Sequence, residues 1–317
     1  MKKLKTVAYT LPLLLPAMLL GGQEVPPPEP VELIPVAPVE MYRNNLPPVL
    51  EKHATGYIPE NPEKYLVMPQ VPHYRDVSPP ESVLSPEADL SAMFPKPGNQ
   101  GKQNSCVAWA TAYTRSYYEA RKQGGSKPSD PEHIFSPAFI YNQVKVGGCD
   151  SGSSISESLG LMKKSGVATE AAFPYDENNC SRLPDNRALT DASHFRIDGW
   201  KKLDVQEIDD IKGQLITGNP VIFGMYVSDS FDRLRGDKVY DDLSSPRTGA
   251  HVVVLVGYSE ARQAFKLLNS WGENWGDKGL GWISYGALKK WAENAFVIEL
   301  AAAQTSESLI PPPAARE

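Results

Sequence analysis

The sequence predicts an α+β fold in two segregated halves, with a cleft between them. Three observations carry this. Between about residues 104 and 218, apolar side chains recur at helical spacing. From Val221 onward the apolar runs are short, β-branched or aromatic, and parted by Gly- or Asn-rich turns. Helical patterns come first and strand patterns follow, which argues against an alternating parallel sheet. A cleft between two such halves is a natural place for a substrate.

The elements follow in order. Asn104 or Ser105 caps a first helix running to about Arg121, with Trp109, Tyr113 and Tyr117 on one face and Gly124-Gly125 as its stop. A second helix starts near Ser154; Ile155, Leu159 and Met162 make its buried stripe, and Gly166 ends it. Asp204 and Glu207 resemble a capping box for a third helix, with Ile208, Ile211 and Leu215 inward and Gly218 and Pro220 beyond its end. Strands are predicted at 221–226, 251–258, 265–268, 281–285 and 295–300. There is no internal repeat.

The globular pattern spans 86–300 of the 317 residues. Residues 1–22 read as an export signal: Met1-Lys2-Lys3-Leu4-Lys5 is basic, the next stretch is apolar, and Gly21-Gly22 offers small residues for cleavage. The expected location is therefore periplasmic or secreted, with a bacterial look to the leader. The apolar run is short and interrupted by proline, so a membrane anchor through residues 7–20 is the alternative. Residues 23–85 are rich in proline and read as a linker or pro-segment, either extended or lying as an arm on the folded part. Residues 301–317 read as a disordered tail.

Apolar content of 41% and charged content of 22% fit a soluble core. The net charge of −6, with no large basic cluster, argues against a nucleic-acid partner. A monomer is expected. Cysteine usage is sparse: Cys106, Cys149 and Cys180. In an exported protein an odd count leaves one thiol unpaired or bridged to another chain.

Cys106 stands at the first turn of the first helix, where the helix dipole favours a thiolate. Gln100, six residues upstream, supplies a side-chain amide able to donate to a developing oxyanion together with the Cys106 backbone N–H. His251 begins a strand, and Asn269-Ser270-Trp271-Gly272 follows the next one. An Asn oxygen accepting from the imidazole would fix its tautomer, and Trp271 would cover that bond. Taken singly, each residue reads equally well as structural: a buried thiol, a satisfied core histidine, a turn, a core aromatic.

Together, Gln100-Gly101, Ser105-Cys106, Gly249-Ala250-His251-Val252, Asn269-Ser270-Trp271-Gly272-Glu273-Asn274-Trp275-Gly276 and Gly279-Leu280-Gly281-Trp282-Ile283 resemble the papain family of cysteine peptidases. The order Gln, Cys, His, Asn matches, and Cys106 and His251 are 145 residues apart, inside the span of about 130–150 usual there. Asn269 lies 163 residues from Cys106, slightly beyond it. The resemblance implies a papain-like two-lobed fold, a mainly helical N-terminal lobe and an antiparallel, barrel-like β lobe. It makes Cys106 the nucleophile, His251 the acid and base, Asn269 the orienting residue and Gln100 the oxyanion donor. Trp271 would shield the triad, with Trp275 stacked below it. The backbone wall for extended substrate would fall at Cys149-Asp150-Ser151-Gly152-Ser153, with Ser151 and Gly152 as its binding residues, and Gly224 and Gly249 would border the pocket for the residue two before the scissile bond. Polypeptide substrates are implied; no metal or cofactor is.

The chain also departs from the family. Gln103 stands where a cysteine usually precedes the nucleophile, Val107 where Trp usually follows it, and Asn142 where another bridging cysteine is usual. Cys149 and Cys180 thus each lack the family's partner, and the expectation is that they pair with each other. The family's pro-region is a helical domain, which residues 23–85 do not resemble; any autoinhibition must work differently, and an extended arm crossing the cleft is one hypothesis. Two other functions remain in play. One is a catalytically silent papain-like binding module whose Pro-rich arms engage other proteins. The other is an amidase or transglutaminase-like acyl transfer, disfavoured by the Asn-Ser-Trp-Gly block.

Overall fold

A computed structural model describes residues 52–79 and 83–300. The predicted export signal, about half of the predicted Pro-rich linker and the predicted tail lie outside the described residues. Within them the fold is α+β. Two short helices, α1 (Pro62–Leu66) and α2 (Tyr74–Val77), belong to an N-terminal arm. The helical lobe follows β1 (Glu87–Asp89) and contains α3 (Cys106–Lys122), α4 (Pro137–Val144), α5 (Ile155–Ser165) and α6 (Asn186–Ser193). Then come β2 (Gly199–Leu203), α7 (Ile208–Ile216), β3 (Val221–Val227), α8 (Asp229–Asp232), β4 (Val239–Tyr240), β5 (Gly249–Ser259), β6 (Ala264–Leu268), β7 (Leu280–Ser284), α9 (Tyr285–Trp291) and β8 (Ala292–Glu299). No helix among the described residues is long and apolar enough to cross a membrane.

The eight strands form one sheet in the order β2-β8-β3-β5-β6-β7-β4, with β1 also paired to β5. Pairing is antiparallel except between β4 and β7, so the all-antiparallel lobe expected from sequence is broken at that edge. The five predicted strands appear within a few residues of their expected bounds. Helix α3 is buried from Cys106 to Ala120, as befits a central helix, and packs on β5, α4 and α5. Gly124 and Gly125 end it with φ of 96° and 82°, which other residues rarely adopt. Helix α5 is capped by Ser154, whose hydroxyl accepts from the Glu157 N–H.

The third predicted helix needs correction. The Asp204 carboxylate accepts from the Gln206 N–H in a local turn, and α7 begins only after Glu207. A short acidic side chain bonds its own loop more readily than a helix three residues on. Cys149 and Cys180 form a disulfide with Cα atoms 5.6 Å apart, as expected. Such a bridge fits an oxidising compartment.

Candidate active site

Cys106 is the first residue of α3 and fully buried. With the other two cysteines bridged, it is the free thiol. Burial pushes it up to about 12, opposed by hydrogen bonding from the backbone of Val252 and Val107. The sulfur thus lies against the strand position next to His251.

His251 is the third residue of β5, opposite Met225 of β3, and is fully buried. Pairing of β5 with β6 places Val254 opposite Leu268, so Asn269 emerges beside the histidine. His251 Nε2 lies 2.7 Å from Asn269 Oδ1, and the Ser270 N–H donates to the same oxygen at 2.8 Å. Two donors on one atom fix the amide with its oxygen toward the ring, so Nε2 carries the proton. Nδ1 is the basic nitrogen, buried and without a hydrogen-bond partner among the described residues. Burial lowers the imidazole to about 4, with the Asn269 bond opposing. Trp271 stacks on His251, centroids 4.4 Å apart. Trp275 is fully buried beneath Trp271, edge-on to it at 5.8 Å, and donates to the Phe231 carbonyl.

Gln100 is tied to the same loop. Its backbone N–H donates to the Ser270 carbonyl, and its Oε1 accepts from the Ser270 hydroxyl at 2.7 Å. These bonds turn Nε2 toward the Gln103 carbonyl at 2.8 Å and the Thr55 carbonyl at 3.3 Å. His251, Asn269 and Gln100 are thus joined through Ser270, and Cys106 opens α3 against Val252, the residue after His251.

The arm lies across this site. His53 stacks on Trp271 at 4.6 Å and its Nδ1 is 2.8 Å from Asp232 of α8. Ala54 accepts from the Trp271 indole N–H at 2.9 Å. The Gly56 and Tyr57 N–H groups both donate to the Ala250 carbonyl. Gly56 accepts from the Ser153 N–H and Ile58 donates to the Ser153 carbonyl, each at 3.0 Å, so arm and wall run parallel. Further along, the Glu60 carboxylate accepts from the N–H and hydroxyl of Ser156 at the start of α5, where a helix has unpaired donors. Lys202 donates to the Tyr65 and Leu66 carbonyls at the end of α1. His73 Nδ1 sits 2.7 Å from Asp210 of α7.

The predicted substrate-binding residues divide. Gly152, Gly224 and Gly249 face the arm: a Cβ on them would lie 2.0 Å from the Gly56 oxygen, 2.6 Å from the Tyr57 ring and 3.1 Å from the Thr55 side chain. Ser151 is set back, its carbonyl accepting from Tyr141 Oη, and Ser153 makes the wall pairing in its place. Ser153 lies within the predicted wall, whereas Asp232 and Asn294 lie outside every predicted site; Asn294 stands just before the predicted strand at 295–300, where no local pattern marks it.

A model described as "Papain family cysteine protease" matches residues 87–298. An uncharacterised peptidase C1-like protein of Acanthamoeba polyphaga mimivirus is 30% identical over 196 residues, covering 57% of this chain and 61% of that protein. A cysteine protease of Blomia tropicalis is 28% identical over 197 residues, covering 59% and 56%. The chain thus spans less than two thirds of the length of these relatives. Among solved structures, xylellain, a cysteine protease from Xylella fastidiosa, superposes with a TM-score of 0.67 at 27% identity, over 78% of this chain and 97% of that one. A procathepsin B from Trypanosoma congolense shares the fold, with a TM-score of 0.61 at 18% identity over 78% and 87%. The chain belongs to the papain family of cysteine proteases.

Proposed function

We propose that the chain is an exported cysteine endopeptidase held shut by its own N-terminal arm. The observation that carries this is the orientation of His251. Its Nε2 is spent on Asn269, leaving a basic Nδ1 beside the helix that begins with Cys106. In the open cleft, the imidazole takes the thiol proton and the thiolate attacks a peptide carbonyl. Gln100 Nε2 and the Cys106 backbone N–H hold the oxyanion; His251 protonates the leaving amine, and water then hydrolyses the acyl-enzyme. Under the arm, burial keeps both partners neutral, the thiol high and the imidazole low.

The arm does not lie as a substrate. Thr55 presents its carbonyl to Gln100, and Tyr57, two residues after it, lies against Gly224, which borders the pocket for the residue two before a scissile bond. The chain therefore runs backwards through the cleft, and the residues that should leave as amine occupy the acyl side. Residues 23–85 act as a pro-segment, released after export by the leader at residues 1–22. Mass spectrometry of the exported product dates that release. The catalytic reading is tested by peptide-library hydrolysis under reducing conditions, with Cys106→Ala as control and an epoxide thiol trap as probe. Hydrolysis and labelling confined to chains carrying Cys106 are the expected result. An active Cys106→Ala variant, or no cleavage and no trapping once the arm is displaced, would sink it and favour a silent binding module.

A further inference from the structure

Tyr57 is 5% exposed. Its ring packs on Gly224 of β3, so closely that a Cβ there would be 2.6 Å from the ring. Its hydroxyl ends on Asn294 of β8, donating to Oδ1. Gly224 and Asn294 are cross-strand partners in the β3–β8 ladder, so wall and floor belong to one rigid sheet. Asn294 is itself 5% exposed. The other donor to its Oδ1 is the Glu60 N–H, which also belongs to the arm. When the arm leaves, both partners leave with it, and an acceptor that only an occupant of the pocket covers is left unpaired at the pocket's end. An acceptor so placed discriminates strongly, because a ligand that fills the space without donating leaves it unpaired.

We infer that Asn294 is the specificity-determining residue of the substrate cleft, and that it selects tyrosine as the residue two before the scissile bond. This rests on the peptidase reading above, which places that subsite at Gly224. The glycine makes room for a six-membered ring; the amide oxygen reads the hydroxyl at its far edge. Phenylalanine fits the same space but deprives Asn294 of its donor, and leucine lacks both the length and the hydroxyl. Lysine and arginine bring donors, but their charge would end in a nearly buried site on a neutral amide. The direction of the backbone does not alter this chemistry, since wall and floor come from the sheet.

The test separates binding from catalysis. Full-length chain carrying Cys106→Ala, to prevent turnover, and both Gly56→Ala and Tyr57→Ala, to lift the arm and empty the pocket, is titrated with acetylated tripeptide amides that differ only in a central Tyr, Phe, Leu or Lys. The Tyr peptide is expected to bind about tenfold tighter than the Phe peptide. Adding Asn294→Ala brings the ratio to about one. Equal affinity for Tyr and Phe, a preference for Phe, Leu or Lys, or no binding of any peptide overturns the assignment. If the Asn294→Ala chain fails to fold, the Tyr-to-Phe ratio on the parent chain decides alone. Hydrolysis by the Cys106 form is read separately: a chain that binds the Tyr peptide selectively but cuts nothing keeps the pocket and loses the peptidase reading.

Discussion

Gly56 and the carbonyl of Asn104 approach so closely that a Cβ on Gly56 would lie 2.2 Å from that oxygen. Gly56 also has φ of +120°, a region that side-chain-bearing residues rarely enter. The arm can press into the cleft here because the residue carries no side chain. Gly56→Ala is therefore expected to lift the arm without touching the catalytic body. Strain of about 1–3 kcal/mol corresponds to a rise in peptide hydrolysis by the full chain of about tenfold or more. Initial rates on a pooled peptide substrate check this, and an unchanged rate at full Cys106 titre would show that the arm is not the brake.

The proposed oxyanion donor of Gln100 also holds its own loop. Its Oε1 accepts from the Ser270 hydroxyl, and its Nε2 donates to the Gln103 carbonyl as well as facing Thr55. Gln100→Glu keeps the acceptor and removes the donor. In the Gly56→Ala background, kcat is expected to fall by about a hundredfold or more, with KM little changed. An equal loss of thermal stability would point instead to damaged packing.

The proposed catalytic set was legible because each member sits in a local pattern: a cysteine opening a helix, a histidine opening a strand, an Asn-Ser-Trp-Gly turn after the next strand. The elements around them were less so. Helix α4 lies outside the predicted helices, although Ser136 caps it and Pro137 stands at its first position. Strand β2 was hidden because Lys201 and Lys202 break its apolar run; Lys202 is kept there to hold the end of α1. The pocket floor depends on register between β3 and β8, some seventy residues apart in sequence. No local pattern encodes such pairing. The arm's fit depends on contacts far more distant still, between Tyr57 and Asn294 or His53 and Asp232.

The Cys149–Cys180 bridge closes a loop of separation 31. The Cys149 carbonyl also accepts from the Asn104 N–H and Tyr141 Oη, next to the segment that leads into Cys106. Replacing both cysteines by serine is expected to cost about 3–4 kcal/mol in the chain-entropy account. Denaturant unfolding of oxidised wild type against the double variant measures it. A difference below about 1 kcal/mol would mean that the unfolded loop is already compact.

The arm's far anchor responds to pH. His73 is held by Asp210, whose carboxylate hydrogen-bonds it and attracts its charge, raising the imidazole above its ordinary value. A raised value means that the docked arm binds the proton more tightly than the released arm. The contribution to docking is whole below pH of about 6.5 and is lost as pH climbs through the raised value. Asp76, on the next turn, adds to the attraction and Arg75 opposes it; the His73 backbone position is fixed by the adjacent Tyr74 N–H donating to Asp210 at 2.7 Å. Mild alkali should therefore loosen residues 70–79, whereas mild acid should hold them. Hydrogen exchange of that segment in Cys106→Ala chain, compared at about pH 5.5 and pH 8 after correction for intrinsic rates, should show lower protection at the higher pH. His73→Gln, which keeps a donor but does not titrate, should remove the difference. Greater protection at pH 8, or the same difference in the glutamine variant, would place the pH response elsewhere than His73.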